Sequence, residues 1–114
     1  MTVIDEIKTS LEGAGYIVEE KPQEKTYPKQ IIIIANSIDI EVESPVTYRL
    51  DFRILIRYSA DSSSELITRT KQIIQLVEPN VTALHFQFES PEFDLDGRTF
   101  YGYLPCIYTE VLQV

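Results

Sequence analysis

A chain of 114 residues, 44% hydrophobic and 25% charged, suits one folded domain whose core needs neither disulfide nor metal. Its formal net charge of −8 speaks against general affinity for nucleic acid or an anionic membrane, since both demand a positive surface. The lone cysteine, Cys106, has no partner in the chain, so a reducing compartment is expected. No apolar run approaches the roughly 18 residues of a membrane span, and the N-terminus lacks a signal-peptide pattern, so the chain reads as soluble and cytosolic when made.

Along the chain, Thr2 and Asp5 have capping-box spacing and open a predicted helix. Its apolar positions Val3, Ile4, Ile7 and Leu11 follow the 3.6-residue period, and Gly13 and Gly15 are natural stops. Tyr16 to Glu20 reads as a short strand. Lys21 to Lys29, with two prolines and mixed charge, reads as a loop. Gln30 to Ala35 holds a run of isoleucines, which predicts a strand apolar on both faces. Asn36-Ser37 suggests a tight turn. Beyond it, Ile38, Ile40 and Val42 alternate with Asp39, Glu41 and Glu43, a strand with one acidic face, and Ser44-Pro45 breaks it.

Val46 to Tyr58 is the clearest strand in the chain. Val46, Tyr48, Leu50, Phe52, Ile54, Ile56 and Tyr58 alternate with Thr47, Arg49, Asp51, Arg53, Leu55 and Arg57. At about 3.3 Å per residue it reaches roughly 40 Å, which makes it the spine of a sheet or a projecting hairpin arm. After a loop at Ser59 to Ser64, the spacing of Ser62 and Glu65 starts a second helix that ends before Pro79. Its apolar stripe is Leu66, Ile67, Ile73, Ile74 and Val77, with Arg69, Lys71 and Gln75 outward. Leu84, Phe86 and Phe88 alternate with His85, Gln87 and Glu89, a further strand; PEFDLDG is expected to turn, closing on Gly97. Arg98 to Leu112 is the last long strand, with Gly102 and Pro105 as candidate breaks. One of its faces carries Thr99, Tyr101, Tyr103, Ile107 and Val111, the other Phe100, Leu104, Cys106 and Tyr108. Neither is polar, which suggests that another subunit covers one side. The expected architecture is α+β: a mainly antiparallel sheet containing a long β-hairpin, with two helices on one face.

Residues for chemistry are scarce. His85, the only histidine, falls on the polar side of a strand with no nucleophile beside it, and reads as a surface or interface residue. Cys106 lies in an apolar strand, where a thiol behaves as a small hydrophobe. One cysteine and one histidine cannot assemble a usual zinc site. Asp94-Leu95-Asp96-Gly97 resembles the start of a calcium loop but lacks the later ligands, so a hairpin turn is expected there. Phosphate-binding glycine loops and nucleophile elbows are absent from the sequence. Arg49, Arg53 and Arg57 share a strand face, and pairing with the acidic strand of Asp39, Glu41 and Glu43 accounts for them without a ligand. Neither an enzyme nor a cofactor is expected.

The order of elements resembles the tail terminator or tail completion proteins of long-tailed bacteriophages. The match runs through Val3 to Leu11 as helix one, Ile38 to Tyr58 as the extended hairpin, Glu65 to Val77 as helix two and Leu84 to Leu112 as the closing strands. DGRTFYGY leading into the C-terminal TEVLQV is also of the kind such proteins show. The resemblance spans nearly the whole chain and rests on order and size rather than a motif. It implies a homo-oligomeric ring, a hexamer, that caps the tail tube and offers a head-attachment surface. The partners implied are further copies of the chain, the tail tube protein and head-connector proteins, in a virion tail assembled in the host cytoplasm, with no sequence-specific nucleic acid binding and no membrane. Ring contacts are heterologous; the expected interface residues are Asp39, Glu41, Glu43, Arg49, Arg53, Arg57, Tyr101, Tyr103 and Ile107. Other head-tail connection or minor tail proteins share this element order, and a dimeric bacterial α+β module that binds a small ligand between sheet and helices is the competing class.

Overall fold

A computed structural model describes residues 2–21, 27 and 29–114. It is an α+β fold: helices α1 (Val3–Glu12) and α2 (Ser63–Val77) lie against a six-stranded sheet of β1 (Ile17–Glu19), β2 (Gln30–Ser44), β3 (Thr47–Ala60), β4 (Leu84–Phe88), β5 (Glu92–Asp96) and β6 (Thr99–Gln113). Strand order is β1-β2-β3-β6-β4, with β5 on the same side of β6 as β4. All pairings are antiparallel except β1 with β2, which is parallel.

α1 starts where expected. The Thr2 hydroxyl accepts from the Asp5 N–H and the Asp5 carboxylate accepts from the Thr2 N–H at 3.0 Å, a complete capping box. At α2 only half of the box forms. Ser62 Oγ accepts from the Glu65 N–H, but the Glu65 carboxylate turns to the Asp61 N–H and to Arg69. α2 ends at Val77 and runs into a 3-10 turn at Glu78–Asn80, as the proline requires. A carboxylate then ties the segment after α2 to α1: Glu6 accepts from the Thr82 N–H at 2.9 Å and from its hydroxyl at 2.8 Å.

Several sequence expectations are corrected. Asn36-Ser37 is no turn, because β2 continues through it as one strand. The register slips by one residue there: Ala35 faces Ile54, Ser37 faces Arg53, and Asn36 is the extra residue of a bulge. The slip explains a change of phase, since Ile31 and Ile33 face the helices before it and Ile38, Ile40 and Val42 share that face after it. The hairpin turn is Pro45-Val46, so Val46 leaves the strand and Ser44 pairs with Thr47. Two strands, not three, thus precede β3. Its C-terminal end runs on through Ser59 and Ala60, shortening the predicted loop. The expected loop Lys21–Lys29 lies mostly outside the described residues. PEFDLDG forms strand β5 instead of a turn; the turn is Gly97-Arg98, with Gly97 at φ 64°.

β6 crosses both Gly102 and Pro105 without a break. The Pro105 carbonyl accepts from the Glu89 N–H, so its ring nitrogen also faces the β4–β5 side. The missing N–H therefore costs the β3–β6 ladder nothing; on the other side Pro105 stands opposite Glu89 and keeps one bond of that pair, at the point where the β4 ladder stops. Gly102 is required by packing: a Cβ there would stand 2.3 Å from ring atoms of Tyr58.

The core lies between helices and sheet. Ile7 and Leu11 of α1, Leu66, Ile73 and Val77 of α2, Ile31 and Ile33 of β2, Ile54, Ile56 and Tyr58 of β3, and Leu104 and Cys106 of β6 are buried together. Ile67 does not join the stripe and is 49% exposed; buried Thr70 takes that place. The Thr70 hydroxyl donates to the Leu66 carbonyl at 2.8 Å, which leaves Tyr58 Oη to donate to Thr70 in a short buried hydrogen bond. Arg69, expected outward, folds back onto the Ser59 carbonyl and onto Glu65. Burial pushes the Cys106 thiol up to about 12 and also raises Tyr58, so both stay protonated at neutral pH.

A helix rises about 1.5 Å per residue and a strand about 3.3 Å. Helices of 10 and 15 residues therefore cannot cover strands of 14 and 15, and the sheet runs on past them in a molecule 52 Å long and 22 to 26 Å across. Gly102→Ala should cost about 2 kcal/mol or more of stability, since the fully buried Tyr58 has no room to yield; urea unfolding checks this. Cys106 should resist alkylation at pH 8 in the native protein and react on addition of denaturant.

Candidate functional site

The uncovered end of the sheet is built from the β2–β3 hairpin and the C-terminal half of β6, and its two faces differ in chemistry. On the face shared with the helices, Ile38 lies beside Phe52 and Tyr108, Ile40 beside Leu50 and Glu110, and Val42 beside Tyr48 and Leu112. Phe52 and Tyr108 stack with centroids 4.9 Å apart at the margin of the core. Beyond that stack no helix covers the sheet: Ile38, Ile40, Val42 and Leu112 are 52%, 64%, 68% and 49% exposed. The alternation along β2 predicts a half-buried strand, but within one chain its apolar side chains face solvent. The pattern fixes which side chains share a face, and only the length of the helices decides whether that face is covered.

The opposite face is charged. Asp39 and Asp51 stand directly across from one another, an arrangement that calls for compensating groups. Arg53 supplies one, 3.7 Å from Asp39, and also pairs with Glu89 at 3.0 Å. Asp51 accepts from the Thr109 hydroxyl at 2.7 Å and from Arg49 at 3.2 Å. The Thr109 hydroxyl, followed by Arg49, holds the Asp51 carboxyl below its ordinary value. His85 and Gln87 close the polar cleft around this group.

Of the acid–arginine pairs expected from sequence, then, only Asp39–Arg53 forms as an ion pair. Glu41 lies across from Arg49, but Arg49 turns to Asp51, and Glu41 and Glu43 make no ion pair with any described residue. Arg57 is far along the strand, opposite Ile32 and Tyr103, and its guanidinium sits 4.8 Å from the Tyr101 ring and 5.9 Å from that of Tyr103. Tyr101 is only 5% exposed and has little surface left to offer a neighbour, while Tyr103 and Ile107 remain half-buried on the open face. Within its own chain, β6 is covered by the helices over Leu104 and Cys106 on one side and by Arg57 over Tyr101 and Tyr103 on the other, while Val111 and Leu112 stay exposed.

A second apolar feature lies at the other end of the molecule. Ile67 and Leu66 of α2 and Phe93, Leu95 and Phe100 of the β5–β6 hairpin line a groove of about 280 Å³. Phe93 and Leu95 are 49% and 57% exposed. Sequence reading passed over them by taking PEFDLDG as a turn; the alternation of Phe93 and Leu95 with Glu92, Asp94 and Asp96 is the period-two signal that finds the strand. Asp94 and Asp96 lie in that strand, and among the described residues no group of three His, Cys, Asp or Glu is placed to hold a metal ion. Cys106 is fully buried and His85 is exposed. No helix is long and apolar enough to cross a membrane among the described residues.

No protein-family model and no curated protein matches the chain.

A depressed carboxyl makes a contribution to stability that is present above its unfolded-state pKa and lost as pH falls through the folded one. Thr109→Val should therefore lower stability at pH 7, and the difference from the parent should shrink as the pH drops below about 4; thermal unfolding across that range measures it.

Proposed function

We propose that this protein is a structural subunit of a phage tail, assembling into a ring, a hexamer, that caps the tail tube and presents a surface for head attachment. The observation that carries this reading is the uncovered end of the sheet. A row of apolar side chains, Ile38, Ile40, Val42 and Leu112, projects beyond the helices of a chain that already has a complete core. Contiguous apolar surface of this kind is rare on monomers and marks a contact with another molecule. The element order, with its extended hairpin between two helices, agrees with the tail terminator resemblance. Asp39, Asp51 and Glu89 agree with it as well, since they are spent on a hydrogen bond and ion pairs that support the sheet.

The apolar end and the Phe93–Leu95 groove lie at different places on one subunit, which suits a heterologous contact in which each copy gives one patch to the other patch of the next. Tyr103 and Ile107 flank that path on the open face, and the acids and arginines of the hairpin would set its register. The competing reading, a dimeric ligand-binding module, draws on the same groove. At about 280 Å³ it lies at the lower edge of the roughly 300–1,000 Å³ of sites for drug-sized ligands.

Native mass spectrometry over a wide concentration range, with and without isolated tail tubes, tests the ring. A hexamer, or a monomer recruited to tubes, supports the proposal; a stable dimer indifferent to tubes overturns it. Ile40→Lys should leave the unfolding midpoint within about 0.5 kcal/mol of the parent, as an exposed substitution does, while abolishing the ring. Tyr103→Asp should weaken assembly, and an unchanged assembly state would remove that residue from the contact.

A further inference from the structure

The outer edge of β2 is open. β1 pairs with it only from Gln30 to Ile32, and among the described residues nothing pairs with that edge from Ile33 to Ser44. An edge strand directs the N–H and C=O of every second residue away from its neighbour, and such rows accept a further strand. Ala35 to Glu43 are exposed throughout, so the groups are accessible.

We propose that Ser37 to Ser44 is a docking site for an extended segment of another protein in which basic and apolar side chains alternate. Charge and polarity set this choice. Along the edge, Ile38, Ile40 and Val42 point to one face and Asp39 and Glu41 to the other, and Glu43 is the extra residue of a second bulge beside the turn. An added strand places its own side chains in the same two rows, and cross-strand neighbours of opposite charge are favourable where like charges repel. Asp39 already has Arg53, whereas Glu41 and Glu43 make no ion pair among the described residues. The incoming segment must therefore carry lysine or arginine on the acidic face and aliphatic residues on the apolar one.

A second copy of the chain is a poor occupant. β5 has a free edge, but it presents Glu92, Asp94 and Asp96 on the face where β2 presents its own acids. β4 presents His85 and Gln87, followed by Glu89, and has no lysine or arginine. The arginine-bearing strand, β3, is enclosed by β2 and β6 along its length. The acids of the free edges thus discourage sheet-to-sheet pairing of the protein with itself while attracting a basic strand. This inference does not depend on the tail reading.

The probe is a peptide of alternating valine and lysine, matched in length to Ser37–Ser44 and titrated into the isotope-labelled full chain near 0.1 M salt. Saturable shifts of amide resonances confined to Ser37–Ser44 and the strand beside it are expected. Glu41→Lys with Glu43→Lys, both at exposed positions, should weaken binding by about tenfold or more. A peptide N-methylated at alternate residues should not bind, since it keeps the charge and loses the donors. Three results overturn the proposal: no saturable shifts at millimolar peptide, equal binding of the N-methylated peptide, or shifts centred elsewhere. Concentration-dependent shifts of Ser37–Ser44 without peptide also overturn it if they persist in Ile40→Lys, which removes the apolar face contact and leaves the strand edge, because they then assign the edge to a second copy.

Discussion

The structure depends on one ladder, the antiparallel pairing of β3 with β6 from Thr47 opposite Gln113 to Ala60 opposite Phe100. It runs without a register shift, and β2 and the β4–β5 pair are laid on its two sides. Two departures from ordinary strand chemistry are accommodated to keep it whole. Pro105 turns its missing N–H away from β3, at the point where the β4 ladder stops, and Gly102 opens the space that the Tyr58 ring fills. Tyr58 in turn donates to Thr70, so the same glycine couples the sheet to α2.

The mismatch between helix rise and strand rise has a direct consequence for function. Two helices cover the end of the sheet where Ile31, Ile54, Ile56 and Leu104 lie, and beyond the Phe52–Tyr108 stack the sheet continues with the same alternation but no cover. The apolar side chains of the far end therefore lie outside the core cluster. In the assembly proposed above, stability and contact would be separated along the long axis.

The two faces of that end do different things. Apolar side chains on one face supply contact area, the non-directional part of association. On the other, Asp39, Asp51, Arg49, Arg53 and Thr109 form a network in which each of two facing carboxylates has an arginine partner. Its members satisfy one another, while Glu41 and Glu43 near the hairpin tip make no ion pair among the described residues. Acids on the free edges of β2 and β5 also oppose unplanned sheet pairing, a hazard for any exposed strand with an apolar face.

Local patterns alone determined the helix starts at Thr2 and Ser62, the α+β class, the long strand (expected over Val46 to Tyr58, found over Thr47–Ala60) and the shared faces of the hairpin, because capping and alternation act between residues close in sequence. They also misled where one local signal served two structures. Asn36-Ser37 has the composition of a turn but sits at a bulge, and the phase change between Ile33 and Ile38 was the legible clue. Glu92 to Asp96 alternates as a strand, yet its proline and acids read as a turn until β6 was present to pair with it. Tertiary structure alone decided that Ile38, Ile40 and Val42 stay exposed while Tyr101 is covered, and that Arg49 chooses Asp51 over Glu41. Those outcomes depend on how far two helices reach along a sheet and on which side chains meet across strands distant in sequence, and no local pattern encodes either distance.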